Sequence, residues 1–245
     1  MAIRPLSARS VVLSLLLGAH PPELAVRDLV PLATHFDISE ATLRVALTRM
    51  VASGDLDRTD ATYRLSAPML ARQERQDTAL EPAGVAWDGT WETVVVIAAG
   101  RSASDRADLR GTLAGLRLAE LREGVWMRPA NLSRPLPSWP DDLLTTLRST
   151  PDDDPAALAS RLWDLDAWST SGRALLDAVS AAPDPAARLA IAAALVRHLR
   201  TDPALPVRLL PAEWPAAALR DAYTAYQDEL IATGLALRVS PLTSA

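Results

Sequence analysis

The chain has 245 residues, and 49% of them are hydrophobic, which is enough for the cores of two or three small domains and excludes a disordered protein. Its 25 basic residues are all arginine, and they are outnumbered by 30 acidic residues. A broadly basic surface is therefore excluded, and any basic site must come from a local cluster of arginines. The absence of cysteine excludes disulfides and thiolate metal sites, and the scattered His20, His35 and His198 lack metal-binding spacing.

The chain begins with an apolar run at residues 11–19 that follows Arg4 and Arg9. The run is shorter than the ~20 residues of a membrane-spanning helix, although it could be mistaken for the core of a signal peptide. Residues 7–10 can open a helix, so we expect a buried first helix. The sequence therefore predicts a cytoplasmic protein without a membrane segment.

Residues 25–65 predict a helix, a tight turn, a second helix and a short β-hairpin, which is the order of a winged helix-turn-helix. The hairpin is expected because polar and apolar residues alternate on both sides of Thr59 and Asp60. The first helix ends at residues 37–39. Its apolar stripe consists of Leu29, Leu32, Ala33 and Phe36.

The second helix has clear start and stop signals. Ser39 is a favourable N-cap, Glu40 in the first turn suits the helix dipole, and Gly54 favours termination. The residues expected to face the core are Leu43, Ala46, Leu47 and Met50.

The exposed side of this module carries the candidate DNA contacts, which are Ser39, Thr42, Arg44, Thr48, Arg49, Arg58 and Arg64. Arg44 and Arg49 project about 140° apart on a helix. We therefore expect one of them at guanine or its phosphate and the other at the flanking backbone. Arg58 and Arg64 on the hairpin are expected at phosphates or in the minor groove. The same module could instead serve dimerisation or docking, with its arginines simply solvated.

The charge distribution implies modest DNA affinity for a single subunit. Residues 1–80 carry nine arginines and nine acidic residues, so their net charge is zero. We therefore expect a homodimer that binds two half-sites of double-stranded DNA. The helices expected at 186–199 and 215–230 are candidates for the dimer interface.

Residues 67–84 predict a polar linker helix, and residues 85–151 predict a small layer of strands with one helix. The apolar, β-branched segment at 91–97 is the strongest strand. The other expected elements are a helix at 104–118 and strands at 125–127 and 143–148.

Residues 152–245 predict an all-helical C-terminal domain. It begins with Asp152, Asp153 and Asp154 between two prolines, a pattern more typical of a solvated turn than of a metal site. The expected helices cover residues 156–165, 171–181, 185–200 and 215–233.

Segments along nearly the whole chain resemble the phenylacetate-catabolism repressor family of transcription regulators, the PaaX-type family. Residues 6–10 resemble its opening helix, and residues 42–51 resemble its recognition helix with both arginines. The segments that resemble its middle and C-terminal domains are Trp91, Arg106, Arg110, 124–129, 162–165, 202–206 and 209–215.

The resemblance implies an α+β protein with a winged helix-turn-helix at 1–66, a small ferredoxin-like middle domain, and a helical C-terminal domain. It also implies a repressor that binds palindromic operators as a dimer. In the family's namesake an aryl-CoA thioester relieves repression, so an acyl- or aryl-CoA thioester or a related acid is the first candidate effector.

The chain departs from the family in three places. The middle domain is shorter between Pro129 and Asp152, which leaves the full ferredoxin-like topology open. Residues 98–100 are Ala-Ala-Gly where the family often has polar or acidic residues. Ala216 follows Trp214-Pro215, where glycine is common.

A group of large aromatic and basic residues marks a candidate effector site. Trp residues could line an apolar pocket, and arginine suits phosphate groups. The same tryptophans could instead be core packing. The candidate residues are Arg128, Trp163, Trp168, Arg173 and Trp214.

Two other classes of protein compete with a regulator. Ferredoxin-like nucleases place an acid at the end of the first strand, but this chain has Ala98 and Ala99 there, and Asp164 and Asp166 are better explained by capping and packing. We therefore expect no enzyme, cofactor or metal. An interaction module with a degenerate helix-turn-helix is the remaining alternative.

Overall fold

The computed structural model describes residues 7–81, 84–98, 100–134, 136–140 and 142–239. Its helices are α1 Ala8–Gly18, α2 Val26–His35, α3 Glu40–Ala52, α4 Ala67–Leu80, α5 Ala103–Gly115, α6 Pro155–Leu162, α7 Leu165–Ala181, α8 Pro185–Leu199 and α9 Ala216–Val239. Its strands are β1 Glu23–Ala25, β2 Leu56–Thr59, β3 Thr62–Leu65, β4 Trp91–Val96, β5 Ala119–Arg122, β6 Val125–Pro129 and β7 Leu144–Ser149. A short 3₁₀ helix covers Val207–Leu209.

The predicted winged helix-turn-helix is confirmed, and it has one strand more than the sequence indicated. The β2–β3 hairpin is joined by β1 in an antiparallel sheet of order β1-β3-β2. Because α1, α2 and α3 bury their apolar stripes in one core with the hairpin, α3 is held with its other side in solvent.

The middle sheet is antiparallel and has the order β5-β6-β4-β7. With α5 between β4 and β5, the chain order is that of a ferredoxin-like domain up to its third strand. The second helix of that fold is absent among the described residues between Pro129 and Leu144, which form a loop. The shortened segment therefore removes a helix and keeps all four strands.

One element predicted for this layer ends elsewhere, and one strand was not predicted. The expected helix at 104–118 ends at Gly115, and strand β5 follows almost at once. Arg117 has a φ of 62°, a left-handed conformation that reverses the chain without a glycine. A single helix through residue 118 was therefore wrong.

The two faces of the middle sheet bury different cores, since successive side chains of a strand point to opposite faces. Val94 and Trp126 pack with Leu113 of α5, whereas Trp91 and Met127 belong to the core that includes Leu158 of α6. Each face is therefore covered within this part of the chain.

By compactness the chain forms two units. Unit 1 contains the chain up to Glu81, together with 172–200 and the chain from Pro215 onward, and unit 2 contains 82–171 and 201–214. The C-terminal helices are confirmed as elements, and α8 and α9 belong to the same unit as the winged helix. The sequential boundaries at 66, 84 and 151 stay predictions. No helix in the described part of the chain is both long and apolar enough to cross a membrane.

Candidate nucleic-acid interface

Helix α3 presents one exposed side, and its first turn is fixed by a side-chain cap. The hydroxyl oxygen of Ser39 accepts a hydrogen bond from the backbone N–H of Thr42 at 3.2 Å, as the sequence predicted. Leu43, Leu47 and Met50 are buried, so the rotation of the helix is set by the core. Thr42 and the predicted contacts at residues 44, 48 and 49 are exposed.

The two arginines of α3 differ in their partners. Glu40 holds Arg44, whose Nη2 lies 2.6 Å from Oε1 in a pair one helical turn apart. Exposed pairs of this kind are worth only about 0.3–0.5 kcal/mol, so a phosphate can compete for Arg44. Arg49 has no ion-pair partner among the residues that the structure describes. It is therefore available to an anionic ligand without breaking any contact.

Arg49 lies at an open groove between the start of α1 and the exposed side of α3. The groove has a volume of about 700 Å³, and Arg9, Thr42 and Val45 also line it. Val45 is half exposed. An apolar side chain at this position could contact a thymine methyl group. Sequence reasoning singled out neither Val45 nor Arg9 as a DNA contact.

The start of α1 is tied to the wing by an ion pair that spans 46 residues. Nε and Nη2 of Arg9 each donate to a different carboxylate oxygen of Asp55 at 3.0 Å, and Asp55 is nearly buried. Ser53 adds a hydrogen bond from its hydroxyl to the same carboxylate at 3.0 Å. This bidentate pair sets the position of the hairpin against the groove.

The two predicted wing arginines also differ. Nε of Arg58 donates to the carbonyl oxygen of Asp60 at 2.8 Å, and its guanidinium lies 5.8 Å from the centre of the Tyr63 ring. Arg64 lies 3.5 Å from the carboxylate of Glu23 on β1. Arg58 thus keeps its full positive charge at the hairpin tip, while that of Arg64 is partly neutralised.

The predicted effector residues do not form one site within either unit. Trp168 and Trp214 stack with ring centres 4.2 Å apart, and Trp163 packs against the core of unit 2. Arg173 belongs to unit 1. The structure therefore gives the tryptophans a packing role, and the effector site assembled from all these residues stays a prediction.

Arg128 is a buried link between the middle sheet and the segment at 201–214. Its side chain is fully buried and donates to the carbonyl oxygens of Pro129, Arg117 and Ala204 and to the amide oxygen of Asn131, at 2.9–3.3 Å. Burial, together with nearby Arg134, lowers the pKa of Arg128 to about 9, so the group stays charged at neutral pH. With no exposed surface, Arg128 has no contact to offer a ligand.

Three of the acidic residues considered for metal chemistry have structural partners. Asp154 caps α6 by accepting from the backbone N–H of Ala157 at 2.9 Å, and Asp153 pairs with Arg161 at 3.0 Å. Asp164 accepts from the backbone N–H of Ala167 at 3.0 Å. Ala99, one of the two alanines after the first strand, lies outside the described residues. Across the described ranges, no three histidine, cysteine or acidic side chains group as metal ligands.

Comparisons with known proteins cover both the winged module and the middle sheet. A family model described as a PaaX-like protein matches residues 7–69, and one described as the PaaX protein central Cas2-like domain matches residues 84–140. A solved structure of "uncharacterized protein Rv0674 from Mycobacterium tuberculosis" is 48% identical with a TM-score of 0.85, and the match covers 95% of this chain and 99% of that chain. The search of curated proteins found no match.

Proposed function

The chain belongs to the PaaX family, and we propose that it is a transcription regulator that binds operator DNA through α3 and the wing. Membership of this family suggests a regulator, and the winged helix-turn-helix is a DNA-reading fold. In such modules the second helix enters the major groove, which has room for one α-helix.

The observation that carries the proposal is the exposed side of α3. Arg49 is free of any ion pair among the described residues, and it lies beside Thr42 and Val45 at one groove. These residues together offer a donor for guanine, a hydroxyl and an apolar contact for a thymine methyl group. Arg58 at the hairpin tip supplies a charge for a phosphate of the same duplex.

We extend the proposal to a homodimer on a palindromic operator. Unit 1 has few uncompensated cations around α3, so a single copy would bind weakly. Two copies related by a two-fold axis would double the phosphate contacts and match two half-sites. We place the interface on α9, whose exposed Ile231 offers a position at which this part of the proposal can be tested.

The mode of regulation follows the family resemblance. We propose that the dimer represses transcription and that a small-molecule effector, first among them an acyl- or aryl-CoA thioester or a related acid, releases it from DNA. An effector that binds the DNA-free form more tightly would shift the population away from the operator.

The test is a binding titration with the full chain and labelled DNA from the region upstream of its own gene, at several salt concentrations. We expect binding that weakens steeply as salt rises, since each phosphate contact adds about 0.9 to the slope of log K against log salt. Absence of binding to this DNA and to sheared genomic DNA at low salt would rule out the proposal.

A further inference from the structure

A second group of uncompensated arginines lies away from the DNA-reading side, at a cavity inside unit 1. The cavity is enclosed by α1, α4, α8 and α9 and has a volume of about 70 Å³. Arg72 projects from α4, Arg197 from α8, and Arg200 from the end of α8. All three residues are exposed, so the cavity opens to solvent on its arginine side.

The charges at this cavity are unbalanced. No acidic residue lines it, and none of the three arginines has an ion pair within the described ranges. This is unexpected in a chain with 30 acidic residues and a net charge of −5. An anion bound at this cavity could accept charge-assisted hydrogen bonds from these arginines.

Two tyrosines of α9, Tyr223 and Tyr226, also line this cavity. The hydroxyl oxygen of Tyr223 accepts from the side-chain amide of Gln76 at 2.9 Å, and the buried hydroxyl of Tyr226 has no hydrogen-bond partner. Burial, with a smaller contribution from the carboxylate of Asp77, raises the pKa of Tyr223 to about 12. Burial, with smaller contributions from Tyr223 and Glu229, also raises the pKa of Tyr226. Both groups therefore stay protonated at neutral pH and could donate to an anion.

The rest of the lining is apolar and comes from α1 and α8. Leu17, Leu189 and Val196 contribute side chains to this wall. A volume of this size holds about five to seven non-hydrogen atoms, if one water-sized position takes 10–15 Å³. It is far too small to enclose a nucleotide, and it suits one anionic group with a short aliphatic body.

We infer that the cavity between α1, α4, α8 and α9 binds a small organic anion, with its charged group against Arg72, Arg197 and Arg200 and its aliphatic part against Leu17 and Val196. This inference concerns ligand binding and does not depend on whether the protein binds DNA. If the protein binds both this ligand and DNA, the ligand would contact α1, the helix whose Arg9 pairs with Asp55 next to the wing.

Unit 2 offers an internal comparison. Arg101, Arg106 and Arg110 line a depression beside β4, but Glu120 pairs with Arg110 at 3.2 Å, and Arg106 donates to the carbonyl oxygen of Arg101. The arginines of that depression have partners within the protein, unlike those in unit 1, although Nη1 of Arg101 is buried without one. A variant there tests whether anion binding is specific to the unit 1 cavity.

The experiment measures the melting temperature of the full chain with sodium butyrate or sodium phosphate, against sodium chloride at matched ionic strength. At ten times its dissociation constant, a ligand should raise the melting temperature by about 3–6 °C. We expect Arg197→Gln and Tyr226→Phe to lose this shift. We expect Arg75→Gln, an exposed α4 residue outside the cavity, and Arg106→Gln to keep it.

Comparing butyrate with phosphate shows whether the cavity prefers a carboxylate or a phosphate group. A larger rise in melting temperature with butyrate supports a ligand with a carboxylate and an aliphatic body. A larger rise with phosphate supports a ligand with a phosphate group. In both cases the rise must depend on Arg197. The inference is overturned if neither anion exceeds chloride, if Arg197→Gln keeps the full shift, or if only Arg106→Gln loses it. Because the readout needs no DNA, a negative operator titration leaves this result intact.

Discussion

At the scale of single residues, an exposed arginine contributes most to DNA binding when it has no carboxylate partner within the protein. Arg44 and Arg64 are both exposed, yet each already has a carboxylate partner, whereas Arg49 and Arg58 have none within the described residues. Binding to DNA would break an ion pair of Arg44 or Arg64. Arg49 has no ion pair to break among the described residues, and Arg58 would give up only its hydrogen bond to a carbonyl oxygen and its contact with the Tyr63 ring. Arg49 and Arg58 should therefore dominate the DNA affinity of the winged module.

We expect Arg49→Ala to weaken operator binding by about 1–3 kcal/mol and to relax sequence preference at one base pair, because a bidentate base contact is worth that much. Arg58→Ala should instead reduce the salt slope by about 1 and leave the sequence preference unchanged. Anisotropy titrations with operator and scrambled DNA measure both effects, with Arg75→Ala as the control. If Arg49→Ala weakens binding to operator and scrambled DNA equally, Arg49 contacts the phosphate backbone of the DNA and not a base.

Arg128 makes a different prediction, because its four acceptor oxygens are all within the protein. We expect Arg128→Met to lower the free energy of unfolding by about 3 kcal/mol, since the buried carbonyls and Asn131 would lose their charged partner. Urea unfolding measures this change. A loss below about 0.5 kcal/mol would mean that the buried network contributes little to stability.

At the scale of elements, helix caps allow stability and DNA binding to be separated. Ser39 caps α3, and Ser102 caps α5 in a reciprocal capping box with Asp105. Each cap is worth about 1 kcal/mol. We expect Ser39→Ala and Ser102→Ala to cost similar stability, with a loss of operator affinity only for Ser39→Ala. Matched losses of affinity would show that the effect comes from general destabilisation.

The elements show which features a sequence can predict. Helix α4 starts at residue 67 and α3 starts at the Ser39 cap, both as expected, because caps and periodicity are local signals. Strand β1 has only three residues and was not predicted, since its pairing with β3 depends on contacts far along the chain. The end of α5 was misplaced because Arg117, and not a glycine, adopts the left-handed conformation.

In the candidate site, too, the sequence predicted the local features but not the contacts between distant residues. The exposed positions of α3 follow from helical periodicity, and Thr42, Arg44, Thr48 and Arg49 lie where it placed them. The pairing of Arg9 with Asp55 and the burial of Arg128 could not be predicted, since both depend on residues brought together by the fold. The arginine-lined cavity of unit 1 combines four helices and has no sequence signature.

At the scale of the whole molecule, one side of α8 is buried within unit 1 and is therefore not available to a second copy of the chain. Leu189 packs in the core of unit 1, and Leu195, Val196 and Leu199 are also buried. Helix α9 buries Leu219 and Tyr223 but exposes Ile231, so we test the interface there. We expect a dimer at micromolar concentration by light scattering, and a shift toward monomer in Ile231→Asp. The control is Val207→Asp, which changes an exposed valine of unit 2. Dissociation by Val207→Asp alone would move the interface away from α9.

The most direct test of sequence-specific reading by α3 is selection of bound duplexes from a random DNA library by the full chain. We predict enrichment of a motif with two symmetric half-sites about one helical turn, or a multiple of it, apart. The same motif should emerge with Arg75→Ala and become degenerate at one position of each half-site with Arg49→Ala. A bound pool no different from the starting library, or a motif that Arg49→Ala leaves intact, would contradict the account.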